Sequence, residues 1–184
     1  MKLLFATTNK YKIKSAELVL KKYGIKVVGE PAEITEIQAS SPEEVAKDKA
    51  KKAFKIIKKP LIVMDSGLFI KPLNGFPGVY TNFVLKTLGE DGLIKLTENI
   101  SPCKAYVQRM IAYTNGKETK TFSSRGYGEI ISEKRGSNGI NYDLIFYVPE
   151  KEKTLAEMTD ENQVKAWGDA WNQLGKWLKK NDKE

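Results

Sequence analysis

Short, wholly apolar runs alternate with longer amphipathic ones along this chain, which predicts strands and helices in turn. Residues 3–6 read as a buried strand that stops at the polar Thr7-Thr8-Asn9. Ile13, Ala16, Val19, Leu20 and Tyr23 then recur at helical spacing, with Asn9 or a neighbouring threonine as N-cap and Gly24 as the stop. Residues 25–28 predict a second strand. Ser41-Pro42-Glu43-Glu44 opens another helix: Ser41 caps it, Pro42 takes the first helical position and Glu44 completes a capping box. Its apolar stripe is Val45, Ala46, Ala50, Ala53, Phe54 and Ile57, and Pro60 ends it. Residues 61–64 form a fully apolar strand of the kind buried on both faces. Asp65-Ser66-Gly67 is expected to interrupt that strand and residues 68–70 to resume it.

Further on, residues 75–78 predict a rigid turn and residues 90–96 a short helix. Asn115-Gly116 between residues 105–113 and 118–123 is a strong hairpin signal. Residues 126–131 predict a third antiparallel strand, 135–141 a glycine-rich loop and 144–148 another apolar strand. One last helix is expected from about Thr159, with Val164, Trp167, Trp171, Leu174 and Leu178 on its buried face. A strand–helix beginning followed by a strand-rich middle points to an α/β protein with a mixed sheet.

Composition narrows the chemistry. The 184 residues suit one domain or one two-lobed domain. There is no histidine, so Ser-His-Asp catalysis, His-ligated zinc and a histidine general base are excluded. The single Cys103 excludes an internal disulfide and reads as a small buried residue. No apolar run approaches a membrane span, and the apolar start is too short for a signal peptide, so a soluble, cytoplasmic protein is expected. A general base must then be a carboxylate, lysine or tyrosine, and any metal a hard ion held by oxygen. The net charge of +8 comes almost wholly from lysine, since only Arg109, Arg125 and Arg135 are arginine. Such a surface suits a small polyanionic substrate; nucleic acid is the rival, and a solvated lysine coat accounts for most of the charges without either.

Three segments offer chemistry. Thr7-Thr8-Asn9-Lys10-Tyr11-Lys12 joins a strand to a helix, where the helix N-terminus and Lys12 could receive phosphate; a plain capped helix with a solvated lysine fits the same residues. Asp65 leaves an apolar strand at the mouth of the sheet, where it could hold Mg²⁺ or orient a water, or cap its own turn. Gly136-Ser137-Asn138-Gly139-Ile140-Asn141-Tyr142-Asp143 lets backbone approach a ligand, with Tyr142 as a stacking face and Asp143 as an acceptor, or is a flexible surface loop.

Taken in order, these segments resemble the inosine-triphosphate pyrophosphatase family over nearly the whole chain. Thr7-Thr8-Asn9-x-x-Lys12 is similar to its phosphate motif, and Glu36-Ile37-Gln38 to the Glu-x-Gln of its archaeal and eukaryotic members. Residues 65–70 followed by 73–80 are nearly a full match to its central motif. Tyr142-Asp143 with Ile145-Phe146, and then Thr154-x-Ala156-Glu157-Met158-Thr159, match its C-terminal block.

The resemblance implies an elongated, two-lobed α/β domain spanning 1–184, with a long mixed β-sheet, flanking helices and a central nucleotide cleft. It implies a homodimer and a Mg²⁺-dependent cleavage of non-standard purine nucleoside triphosphates (inosine, deoxyinosine, xanthosine) to monophosphate and pyrophosphate. By the same resemblance Asp65 is the catalytic base and a metal carboxylate, and Glu36 is a metal ligand. Thr7, Thr8, Asn9, Lys12 and Lys49 hold the triphosphate, Ser66 contacts the nucleotide, and Tyr142 and Asp143 face the base. The alternatives on the same fold are a non-catalytic nucleotide-binding protein and a pyrophosphatase of relaxed base specificity.

The chain departs from the pattern at the base end. Met64 stands where the family has an acidic residue, and Ile140 where it has a stacking phenylalanine. Asn162-Gln163 and Lys165-Ala166-Trp167 stand where it has a late lysine and a Ser-His-Arg element. The expectation is that the phosphate half is kept and the base-reading half is rebuilt.

Overall fold

The computed structural model describes residues 1–139 and 141–181. It is an α/β fold built on an open mixed sheet with flanking helices. The strands are β1 (Lys2–Ala6), β2 (Lys26–Glu30), β3 (Leu61–Ile70), β4 (Pro77–Gly78), β5 (Lys104–Thr114), β6 (Thr119–Ile130), β7 (Phe146–Val148) and β8 (Lys153–Thr154). They pair in the order β2-β1-β3-β5-β6-β7-β8, with β4 added to β3. β1 is parallel to both β2 and β3, whereas β3–β4, β6–β7 and β7–β8 are antiparallel. The helices are α1 (Lys10–Leu20), α2 (Pro42–Ile57), α3 (Thr81–Thr87), α4 (Gly89–Thr97), α5 (Asp160–Ala166) and α6 (Ala170–Asn181).

The chain divides into two compact units. The first comprises Met1–Asp65, Arg109–Ser124 and Asp169–Glu184; the second, Ser66–Gln108 and Arg125–Gly168. In the first unit α2 lays small side chains on the sheet: Ala46, Ala50 and Ala53 meet Ala6, Leu61, Val63, Met110 and Ala112. Alanines there let the helix backbone come close to the strands, and residues beside the stripe, such as Lys49, travel with it. Elsewhere in the unit α1 packs on α6. Trp171 is 1% exposed, sits edge-on to Phe5 and donates its indole N–H to Ser15 Oγ at 3.0 Å. Burying a ring of that size contributes about 2–3 kcal/mol, and the hydrogen bond satisfies its one polar atom.

The second unit has a bulkier core, in which Leu68, Ile70, Leu93, Val107, Tyr142, Ile145, Phe146, Leu155 and Met158 pack together. Its α3 was not visible in the sequence. Phe83 is 66% exposed and no side chain caps the helix, so neither the apolar period nor a start signal marks it.

Several boundaries differ from the expectation. β3 runs unbroken through Asp65-Ser66-Gly67. Gly67 is there for close approach: β4 lies so near that a Cβ at 67 would meet Gly78 O at 2.5 Å. β6 is likewise one strand, so residues 126–130 continue it rather than form a third. The apolar run at 144–148 yields only β7, because Asn141–Leu144 closes into a 3-10 turn. The last helix is two helices, broken where Trp167 ends α5 and Gly168 takes φ +84°.

Candidate active site

The parallel strands fix the site in the first unit. β1 and β3 are in register at Leu4–Leu61 and Phe5–Ile62, so Thr7 and Thr8 leave β1 level with Met64 and Asp65. Ligands in open α/β sheets gather at the carboxyl ends of such strands. Asn9 then caps α1: its side-chain oxygen accepts from the N–H groups of Tyr11 at 2.9 Å and Lys12 at 3.2 Å, and its own N–H donates to Thr7 Oγ1 at 3.2 Å. Two of the N–H groups expected to face a phosphate are therefore taken by Asn9, which leaves the helix dipole and Lys12 as the cationic features of that end. Thr8 is exposed beside them.

Lys12 reaches across to β3 and donates to Met64 O at 3.2 Å. The residue keeps some exposed surface, but its ammonium lies deep among protein atoms. Burial pushes its pKa below the ordinary lysine range; Asp65 and Glu36 pull it back up, while Lys49 and Arg109 push it further down. This set of partners identifies the cluster: two carboxylates and three cations share one electrostatic neighbourhood.

Glu36 lies on an exposed stretch without regular structure, yet it is pinned. Lys49 of α2 forms an ion pair with it, and Lys52, one turn on, donates to Thr35 O at 2.8 Å. Lys49 is itself only 15% exposed at its side chain. Asp65 and Ser66 are half-buried neighbours on β3. Among the described residues no group of three or more His, Cys, Asp or Glu could hold a metal ion. Two carboxylates match what Mg²⁺ takes from a protein when substrate phosphates supply further oxygens. The donor set thus fits an ion shared with substrate better than a resident structural one.

The remaining sequence-derived residues are in the second unit. Tyr142 is 7% exposed and packed in the core, its ring 6.1 Å from that of Trp167, so it does not offer an open stacking face. Asp143 is half-buried in the same 3-10 turn, close against Gly139. Ile140 lies outside the described residues. The loop before it is held by neighbouring side chains. Gln163 donates to the carbonyls of Asn138 at 2.5 Å and Leu155 at 2.7 Å, and Asn138 donates to Met158 O at 2.7 Å. Arg135 pairs with Glu157, whose other oxygen closes a capping box on Thr154. So Gln163, standing near the family's late lysine, holds backbone. The sequence reading missed Lys52 and Arg109. The first was hidden among the lysines of residues 47–52, and the second carried no signal except being an arginine in a mostly apolar strand.

The chain belongs to the Ham1 family, which it matches over residues 3–177, and this bears out the family resemblance read from the motifs. It is 37% identical over 179 residues to a dITP/XTP pyrophosphatase of Hyperthermus butylicus, covering 96% of this chain and 94% of that one. It is 39% identical over 183 residues to a dITP/XTP pyrophosphatase of Thermococcus kodakarensis, covering 98% and 99%. Among solved structures, a HAM1 protein from Coxiella burnetii superposes with TM-score 0.84 at 28% identity, over 98% of this chain and 99% of that one. The Ham1 protein of Staphylococcus aureus gives 0.81 at 29%, over 98% and 100%.

Proposed function

We propose that this protein hydrolyses non-standard purine nucleoside triphosphates, of the deoxyinosine and xanthosine type, to the monophosphate and pyrophosphate. The observation that carries the reading is the convergence of Asp65, Glu36, Lys12 and Lys49 at the ends of β1 and β3 in a chain of this family. The relatives' activity, as their names give it, supports the same conclusion.

In this reading Lys12 and Lys49 bind the phosphate tail, and Thr7 and Thr8 border it while Asn9 holds the helix start in place. Asp65 orients a water and accepts its proton as the water attacks the α-phosphorus in line. Glu36 and Asp65 would hold Mg²⁺, which when bound neutralises phosphate charge. Lys49 must let go of Glu36 for both roles to be filled at once. Ser66 touches the nucleotide and Asp143 accepts from the base, with Tyr142 supporting the turn beneath it.

A non-catalytic nucleotide binder on this fold is favoured by one observation, the Lys49–Glu36 ion pair, which occupies a would-be metal carboxylate. Pyrophosphate release separates the two: turnover of deoxyinosine triphosphate with Mg²⁺ supports hydrolysis, and binding without turnover supports the second reading. We further place the protein in the cytoplasm; no helix among the described residues is long and apolar enough to cross a membrane. A second copy of the chain is the proposed partner, supported by exposed Phe76, Tyr80 and Phe83. Sedimentation at micromolar concentration tests it, and a monomer there rejects it.

A further inference from the structure

Arg109 is 3% exposed and lies on β5, in the first unit. Its guanidinium stands 5.7 Å from the centre of the Trp171 ring. That indole donates to Ser15 Oγ, and Ser15 is three residues after Lys12 on α1, so the two share a helix face. Arg109 is thus one indole away from the helix face that presents Lys12, and its charge is among those felt at the Lys12 ammonium.

A guanidinium keeps its proton whatever its surroundings, so Arg109 adds a fixed positive charge to the field at Lys12. A buried charge of that kind is screened by salt much less than a surface lysine. Its attraction for an anion grows with the anion's charge.

We infer that Arg109 is a positioning residue of the phosphate end: a permanent buried cation behind Lys12 that makes the site favour the more highly charged polyphosphate. The inference rests on the reading of that end as a phosphate site. Lys12, Lys49 and Arg109 outnumber Glu36 and Asp65 there, so the charge difference between a triphosphate and a diphosphate is registered by protein groups that salt screens poorly.

The test compares wild type, R109M and R109K. Binding of inorganic tripolyphosphate and of pyrophosphate is measured by calorimetry, and kcat and KM with deoxyinosine triphosphate. Circular dichroism and melting confirm the fold. R109M should weaken tripolyphosphate about tenfold and pyrophosphate about threefold or less, with the loss falling on KM more than on kcat. R109K, which returns a cation without the planar guanidinium, should restore most of the ratio. A folded R109M with the wild-type binding ratio overturns the inference, as does equal weakening of both anions. Should R109M not fold, R109Q is measured in its place: a tripolyphosphate-selective loss supports the inference, and the wild-type binding ratio overturns it. Absence of turnover with the stated binding ratios would defeat the reaction reading and leave this inference standing; turnover with an unchanged ratio in R109M would do the reverse.

Discussion

The two units differ in the chemistry of the side chains they bring together. The first gathers ionisable side chains: Lys12, Glu36, Lys49, Asp65 and Arg109 share one field, and small alanines beneath α2 let Lys49 approach. The second contains few such groups at its sequence-derived site and holds a glycine-rich loop by hydrogen bonds to backbone, from Gln163 and Asn138. Its Tyr142 is core. Charge on a phosphate tail is the same whatever the base, so fixed cations and carboxylates suit it. Base identity is read by hydrogen-bond pairing, which needs well-placed backbone and side-chain acceptors. The difference teaches that altering one unit should damage catalysis, and altering the other should damage discrimination.

The sharpest way to break this contrast is Asp65→Asn. It keeps the size and most of the hydrogen bonding but removes the base, so pyrophosphate release should fall by about 10²–10⁴ with an unchanged melting curve. Near wild-type turnover would take Asp65 out of the mechanism. Next in size is Glu36→Gln, which should shift the magnesium dependence of turnover to roughly tenfold higher concentration, since one of two carboxylate donors is lost. An unchanged magnesium titration would argue against Glu36 as a ligand.

Gln163→Leu probes the other unit. It leaves the Asn138 and Leu155 carbonyls without their side-chain donor, at a cost of about 1–3 kcal/mol. It should change the ratio of kcat/KM between bases while leaving the magnesium dependence alone. An equal loss for every base would mean that the loop serves stability only.

The smallest expected effect is on pH. Burial is the main cause of the lowered Lys12 pKa, with Lys49 and Arg109 adding to it. Above that lowered value Lys12 is neutral in the folded protein while the unfolded chain still binds the proton. Stability therefore rises with pH between the native value and the ordinary lysine range. Substrate affinity should fall across the same window, because the neutral amine no longer attracts phosphate. KM for deoxyinosine triphosphate measured against pH should climb before the ordinary lysine range is reached; a flat profile up to that range would count against Lys12 as a phosphate ligand.

How much of this was legible beforehand follows from how far each signal reaches. Asn9 and Ser41 were readable as caps because capping is local, and both side chains accept the N–H groups expected of them. The Asn115-Gly116 hairpin and the apolar β3 were readable for the same reason. Continuity of β3 through Asp65-Ser66-Gly67 was not, because it depends on β4 lying against Gly67, a contact with a segment eleven residues away in sequence. The break at Gly168 was masked by Trp167 and Trp171, which kept the apolar period going across it. Near the strand ends, the positions of Lys12 in the first turn of α1 and of Asp65 after the apolar run 61–64 were legible. Arg109 was not, since its relevance arises only when α1, α6 and β5 pack around Trp171. Tyr142 was read as a ligand face, whereas its burial depends on the whole core of the second unit.

The central claim is a reaction, and it is tested most directly by following the products formed from deoxyinosine, xanthosine, adenosine and guanosine triphosphates with Mg²⁺, side by side. The account predicts pyrophosphate and the nucleoside monophosphate in equal amounts. It also predicts a preference for the first two substrates that stays below about a hundredfold in kcat/KM, since Gln163 is committed to backbone and no arginine or histidine occurs in residues 136–184. Orthophosphate and nucleoside diphosphate as the products, or no turnover of any of the four, would contradict it.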